Sequence, residues 1–265
     1  MSSCDNTMQP ILTADLFAPL NDELVALLRG LTPDEWNAPT VAAGWTVKDV
    51  AAHLLDTALR RLGLRDGYLA PGPFDPNRMN REWVEAARRL SPRLLTDMLD
   101  RYGREAALYL ATLDPFARAG FPVSWAGDEE SPAWFDVARE LTERWHHQQQ
   151  IRDATHRPPL YDAVYFAPVI DTFVRALPHT YREVDAPAGT TVVLRVTGEG
   201  EGTWSLTREN ARWSLREGEA RAAATVTMRG DTAWRLFTRQ NVADRVRIEG
   251  DPRYGEPLLK TVAII

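Results

Sequence analysis

Among 265 residues there is one cysteine, Cys4, so no disulfide can form within the chain and secretion is not needed to explain its fold. Cys4 lies in a polar N-terminal stretch, which also disfavours a catalytic thiol supplied by the protein itself. Lysine is nearly as scarce. Lys48 and Lys260 are the only lysines among 31 basic residues, and the rest are arginine. Schiff-base chemistry needs a lysine of depressed pKa in an apolar pocket. Lys48 opens a helix and Lys260 sits near the tail, so neither suits that role. The first ten residues hold no apolar signal segment, and no apolar run reaches the roughly 18 residues of a membrane span. Positive charge is not in excess either: 31 basic residues face 37 acidic ones, for a net charge of −6. Without a basic face there is nothing to neutralise a phosphate backbone, which argues against nucleic acid as a partner. The expectation from these absences is a soluble, cytoplasmic protein with no nucleic-acid or membrane partner.

Several catalytic signatures are missing as well. There is no Gly-x-Ser-x-Gly nucleophile elbow, no Walker A sequence and no His-Glu-x-x-His. Gly198, Gly200 and Gly202 superficially suggest a phosphate loop. Glu199 and Glu201 would repel a phosphate, however, and the pattern leads into a strand instead of a helix. It reads as a hairpin turn.

What is present is an ordinary globular composition, 44% hydrophobic and 26% charged, long enough for one or two domains. The pattern changes at about residue 185. Before it, apolar residues recur with helical period, predicting helices over 13–28, 47–62, 78–113 with a break at Ser91-Pro92, 133–154 and 163–177. Pro33, Pro39 and Gly44 mark 31–45 as a connector, and Pro71, Gly72, Pro73 and Pro76 mark a loop. Thr46 with Asp49 predicts a capping box, and Ser91-Pro92 and Ser131-Pro132 each predict a cap followed by a first-turn proline. Beyond Pro187 the period is two, predicting strands over 191–197, 203–207, 212–215, 224–228 and 245–249, with helices at 232–237 and from Pro252. The expected architecture is α+β: an antiparallel helix bundle over 1–160, then a linker helix and a small α+β domain over 161–265.

Within the bundle, His53 shares a face with Val50, Leu54 and Thr57. Alone it reads as a core histidine with one satisfied hydrogen bond. Glu143 and His147 are four apart on the 133–154 helix, so their side chains meet on one face. With His53 from a neighbouring helix they form a His₂Glu set, which serves catalytic zinc sites and open iron sites alike. Asp136, Glu140 and Gln150 lie near the same stripe and could support the ligands by hydrogen bonds. Spacing alone leaves a second reading open, a solvated face with Glu143 paired to an arginine. His146 and His156 read as surface residues, and His179 has no partner in sequence. Nine tryptophans, Trp45 and Trp145 among them, read mostly as core.

The segment Gly44-Trp45-Thr46-Val47-Lys48-Asp49-Val50-Ala51-Ala52-His53-Leu54, taken with Glu143-x-x-x-His147, resembles the metal-binding N-terminal domain of the mycothiol-dependent maleylpyruvate isomerase family. That family belongs to the DinB-like superfamily of four-helix bundles. The resemblance spans about 12–155 and implies that His53, Glu143 and His147 hold a divalent metal, zinc first, with nickel, iron or manganese as alternatives. Residues 230–239 resemble the last helical segment of the family's sterol-carrier-like domain, which implies a catalytic role for Arg239 against the ordinary reading of a solvated arginine at a helix end. Taken together, the resemblance implies an isomerase or S-transferase acting on a small electrophilic molecule. Its thiol would come from outside, mycothiol or a similar low-molecular-weight thiol, and the metal would lower the thiol's pKa. The alternative is a non-catalytic protein that binds a metal or an apolar ligand. A homodimer is compatible with either.

Overall fold

The computed structural model describes residues 8–42, 44–68 and 75–264. Cys4 and the loop residues Pro71, Gly72 and Pro73 lie outside them. The chain divides into two compact units, one formed by 12–121 and 130–160, the other by 1–11, 122–129 and 161–265.

The first unit contains α1 (Phe17–Arg29), a short α2 (Pro33–Trp36), α3 (Val47–Arg65), α4 (Pro76–Ala87), α5 (Pro92–Leu110) and α6 (Ala133–Ala154). Local chemistry fixes several of these starts. Thr46 and Asp49 exchange hydrogen bonds in a full capping box ahead of α3, and the Ser91 side chain accepts from Leu94 N–H ahead of α5. Thr32 and Glu35 form a second capping box, which starts α2 inside the segment expected to be an irregular connector. Ser131 does not cap α6. Pro132 occupies the cap position and offers no side-chain hydrogen bond, while the Ser131 carbonyl pairs with Ala119 N–H.

Cross-helix contacts give the directions. Arg104 reaches Asp22 and Arg29 reaches Asp100, so α1 and α5 run oppositely. Gln148 reaches the Leu20 carbonyl and Arg152 reaches Glu23, so α1 and α6 run together. Arg88, just ahead of α5, pairs with Asp49, and Glu105 with Arg65, so α3 and α5 run together. Between these parallel helices α4 carries the chain back, a long crossover of the kind four-helix bundles use. Its Trp83 donates to the Ala52 carbonyl at 2.8 Å and so braces α3 beside His53. Leu54, Leu55, Leu95, Leu99 and Ile151 fill the core. Among the described residues no helix is long and apolar enough to cross a membrane.

The second unit holds α7 (Ala163–Val174), α8 (Leu177–Thr180), strands β1 (Thr191–Thr197), β2 (Gly202–Glu209), β3 (Arg212–Glu217) and β4 (Ala224–Arg229), then α9 (Gly230–Phe237), β5 (Arg247–Gly250) and α10 (Pro252–Gly255). The five strands form one mixed sheet in the order β3-β2-β1-β4-β5. Only the β1–β4 pair is parallel, with Val192 opposite Ala224. The glycine run from 198 to 202 turns β1 into β2, as expected. Gly198 and Gly200 adopt φ of 78° and 68°, the left-handed region that glycine enters without cost. Trp234 is buried in α9 and donates to the Tyr161 hydroxyl at 3.1 Å, and that hydroxyl donates to Asp231 at 2.5 Å.

Candidate metal centre

His53 lies two turns into α3, and Glu143 and His147 lie one turn apart on α6. The entry to α3 brings a fourth side chain to the group. Gly44, at φ 80°, turns the chain so that Trp45 N–H bonds the Ala42 carbonyl, and the Trp45 carbonyl accepts from both the amide and the hydroxyl of Thr40. The Trp45 ring then lies 5.2 Å from the His53 ring and 6.4 Å from that of His147. His53 and His147 meet edge to face at 4.7 Å. One ligand atom from each of His53, Glu143 and His147 falls within 4.8 Å of the others, and His147 Nε2 is 3.4 Å from Glu143 Oε2.

The three are 5, 9 and 8% exposed, which overturns the reading of Glu143 as part of a solvated face. Among the described residues its ion-pair partner is His147, and no arginine pairs with it. Burial alone would raise its carboxyl pKa, but the His147 hydrogen bond and the adjacent imidazoles outweigh that and hold it well below the usual range. His53 is driven the other way. Burial, and then the neighbouring His147, push its pKa well below the ordinary histidine value, so it is neutral at pH 7 with a lone pair to offer. His147 Nδ1 lies 2.8 Å from Gln150 Oε1. An amide oxygen only accepts, so Nδ1 carries a proton, and Nε2 is the nitrogen that faces Glu143.

One atom tests whether a cation fits. His53 Nδ1 is buried and has no hydrogen-bond partner among the described residues. A buried ring nitrogen without a partner is costly unless something other than a protein group satisfies it, and a cation would do so. An anionic carboxylate and two neutral imidazoles are also the donor set of zinc and related divalent metals. The residues present fit such a group.

Other expected roles come out differently. Asp136 and Glu140 do not touch the ligands. Both are bound to Arg61, with Asp136 Oδ2 2.7 Å and Glu140 Oε2 3.1 Å from its guanidinium. His146 is buried, not on the surface. Its Nδ1 lies 2.9 Å from the Thr142 carbonyl and its ring 4.0 Å from that of His147, and burial lowers its pKa to about 4. His156 is exposed, as expected. Arg239 is exposed just beyond α9 in the other unit, with φ 66°. Two contributors escaped the sequence reading. Trp45 stood in the quoted motif but was taken as core, and Arg61 carried no local signal at all.

Two uncharacterized proteins, from two strains of Mycobacterium tuberculosis, are each 33% identical to this chain over 148 residues, 53% of this chain and 55% of theirs. The chain thus spans about half the length of the curated relatives it matches. Crystal structures of the mycothiol-dependent maleylpyruvate isomerase and of its histidine-to-alanine mutant superpose with TM-scores of 0.59 and 0.60, covering 91% of this chain and 96% of theirs. At 14% identity, that likeness establishes the fold. Residues 17–152, about half of the chain, match the family profile described as the mycothiol maleylpyruvate isomerase N-terminal domain, and the chain belongs to that family.

Proposed function

We propose that the protein is a metal-dependent enzyme that uses a low-molecular-weight thiol, mycothiol or a close relative, to isomerise a small electrophilic substrate or to transfer the thiol to it. The observation that carries this reading is the buried convergence of His53, Glu143 and His147 with one His53 nitrogen unsatisfied. These three side chains would hold the divalent cation, and zinc suits a His₂Glu set best. When bound, the cation supplies Lewis acidity that lowers the pKa of a coordinated thiol or water.

The protein's own residues do the rest. Glu143 contributes one negative charge and the neutral imidazoles contribute none, so a divalent site keeps a net positive charge that attracts a thiolate. Gln150 holds the His147 ring in the orientation that points Nε2 toward Glu143. The Trp45 ring lies tilted beside both imidazoles, and its apolar surface limits water there and strengthens their electrostatics. The chain has a single cysteine, Cys4, in a polar N-terminal stretch, and on this reading the reacting thiol comes from an external molecule. Arg239, with an exposed guanidinium, is the side chain we assign to a substrate carboxylate or a developing enolate.

The test is to incubate zinc-loaded protein with maleylpyruvate, the substrate named for the structurally similar enzyme, with and without mycothiol. Turnover or thioether formation that requires both metal and thiol is expected. Turnover indifferent to the thiol, or no reaction and no thiol binding, contradicts the proposal.

A further inference from the structure

Arginines take up the negative charge that surrounds the candidate metal centre. The acidic side chains nearest the ligands along α3 and α6 are each held by one. Asp49 pairs with Arg88 at 3.2 Å, Asp56 with Arg60 at 3.1 Å, and Glu140 with Arg61 and Arg144, both at 3.1 Å. Asp136, a further turn back on α6, pairs with Arg61 and Arg139, both at 2.7 Å. Among the described residues, Glu143 is the one carboxylate that pairs with either imidazole, and it belongs to the ligand set itself.

What stands behind the imidazoles is neutral. Gln150 lies one turn beyond His147 on α6, is 6% exposed, and places Oε1 2.8 Å from His147 Nδ1. His53 has no carboxylate partner either, and its Nδ1 is buried without a hydrogen-bond partner among the described residues. The choice of acceptor has a chemical consequence. An imidazole whose distal N–H donates to a carboxylate becomes more basic and binds a divalent cation more tightly. An amide oxygen accepts the same N–H and fixes the ring, but it brings no charge. Gln and Glu share shape and reach, so position 150 could carry either without moving His147. Counting the ligands alone, Glu143 supplies one negative charge to a divalent site, and the surrounding ion pairs supply no more. One monoanion then completes the neutralisation.

We propose that Gln150 is a positioning residue whose neutrality is functional. It aligns His147 for the cation while withholding a second negative charge. The loaded site therefore holds its metal less tightly, and an anionic ligand more tightly, than a site with a carboxylate behind His147. This inference rests on the metal reading above and extends it, because it names the residue that reserves the site's positive charge for an anion such as a thiolate.

The experiment uses the full chain as the parent, Gln150→Glu and Gln150→Ala, with circular dichroism to show that each is folded. Zinc affinity is measured by competition with a chromophoric chelator. Cobalt-loaded protein is then titrated with sodium thiocyanate, a monoanion at any working pH, and followed by the visible absorption of the cobalt ion. Gln150→Glu is expected to bind zinc tighter and thiocyanate weaker, each by about tenfold, the lower end of what groups behind a metal ligand contribute. Gln150→Ala is expected to bind zinc about tenfold weaker, because Nδ1–H loses its acceptor and the ring its brace. A purely structural role would weaken zinc binding in both variants, so the opposite signs are the signature. Gln150→Asp carries the same charge on a shorter arm and replaces Gln150→Glu if that variant does not fold. Zinc affinity in Gln150→Glu equal to or below that of the parent, or unchanged thiocyanate affinity, would overturn the proposal and leave the metal site standing. A parent that takes up no zinc would overturn the metal reading and this proposal with it.

Discussion

Arg239 adopts φ 66° at the end of α9, where Gln240 N–H bonds the Arg235 carbonyl and Arg239 N–H bonds that of Leu236. This helix-ending geometry usually recruits glycine, and a side chain there costs about 1 kcal/mol. Strain held at an exposed arginine is consistent with selection for the guanidinium itself. Arg239→Gly is therefore expected to raise stability toward urea by about 1 kcal/mol while lowering thiol-dependent turnover. Unchanged turnover would remove Arg239 from the proposed chemistry. At this scale, legibility follows sequence distance. Glu143 and His147 are one helical turn apart, so their meeting is readable from spacing. Arg61 and Asp136 are 75 positions apart, and no local pattern announces such a pair. His146 was misplaced because a residue next to a core-facing one normally faces water, whereas α6 is buried on nearly every side from Phe135 to Ile151.

Among the helices, α6 depends most on charge pairing. Burial should keep the Asp136 carboxyl protonated, yet Arg61 and Arg139 outweigh it and hold its pKa at about 2, below the ordinary 3.8. A depressed pKa contributes stability above the unfolded value that is lost as pH falls through the folded one. Asp136 thus supports the fold by about 2 kcal/mol above pH 4 and loses that support between pH 4 and 2. Asp136→Asn is expected to destabilise the protein by about 3 kcal/mol at pH 7, because it removes the carboxylate that Arg61 and Arg139 share and leaves Glu140 to face both buried guanidinium groups. It should also flatten the acid limb of a stability–pH profile measured by urea unfolding. An equally steep limb in the variant would assign the acid transition to other carboxylates. The starts of α3 and α5 were legible because Thr46, Asp49 and Ser91 act on their own neighbours. The four-residue α2 was not, since it is too short to show a period even though Thr32, Pro33 and Glu35 mark its start.

For the molecule as a whole, periodicity announced helices first and strands after, and the α+β class follows from that order. Which strands pair does not. The parallel β1–β4 contact joins residues 32 positions apart, with β2 and β3 between them in sequence. Likewise, that α3 and α5 run together depends on the crossover through α4, and apolar spacing carries no direction. The three candidate ligands are brought together by that arrangement, and the account rests on their holding a metal. The most direct check is elemental analysis of protein purified without a histidine tag or chelator, beside His53→Ala, with circular dichroism to show that both are folded. Close to one equivalent of zinc or another divalent transition metal per chain, absent from the variant, is the expected result. A folded parent that carries no metal and takes up none when zinc, nickel or iron is added would contradict the account, as would a variant that keeps full occupancy.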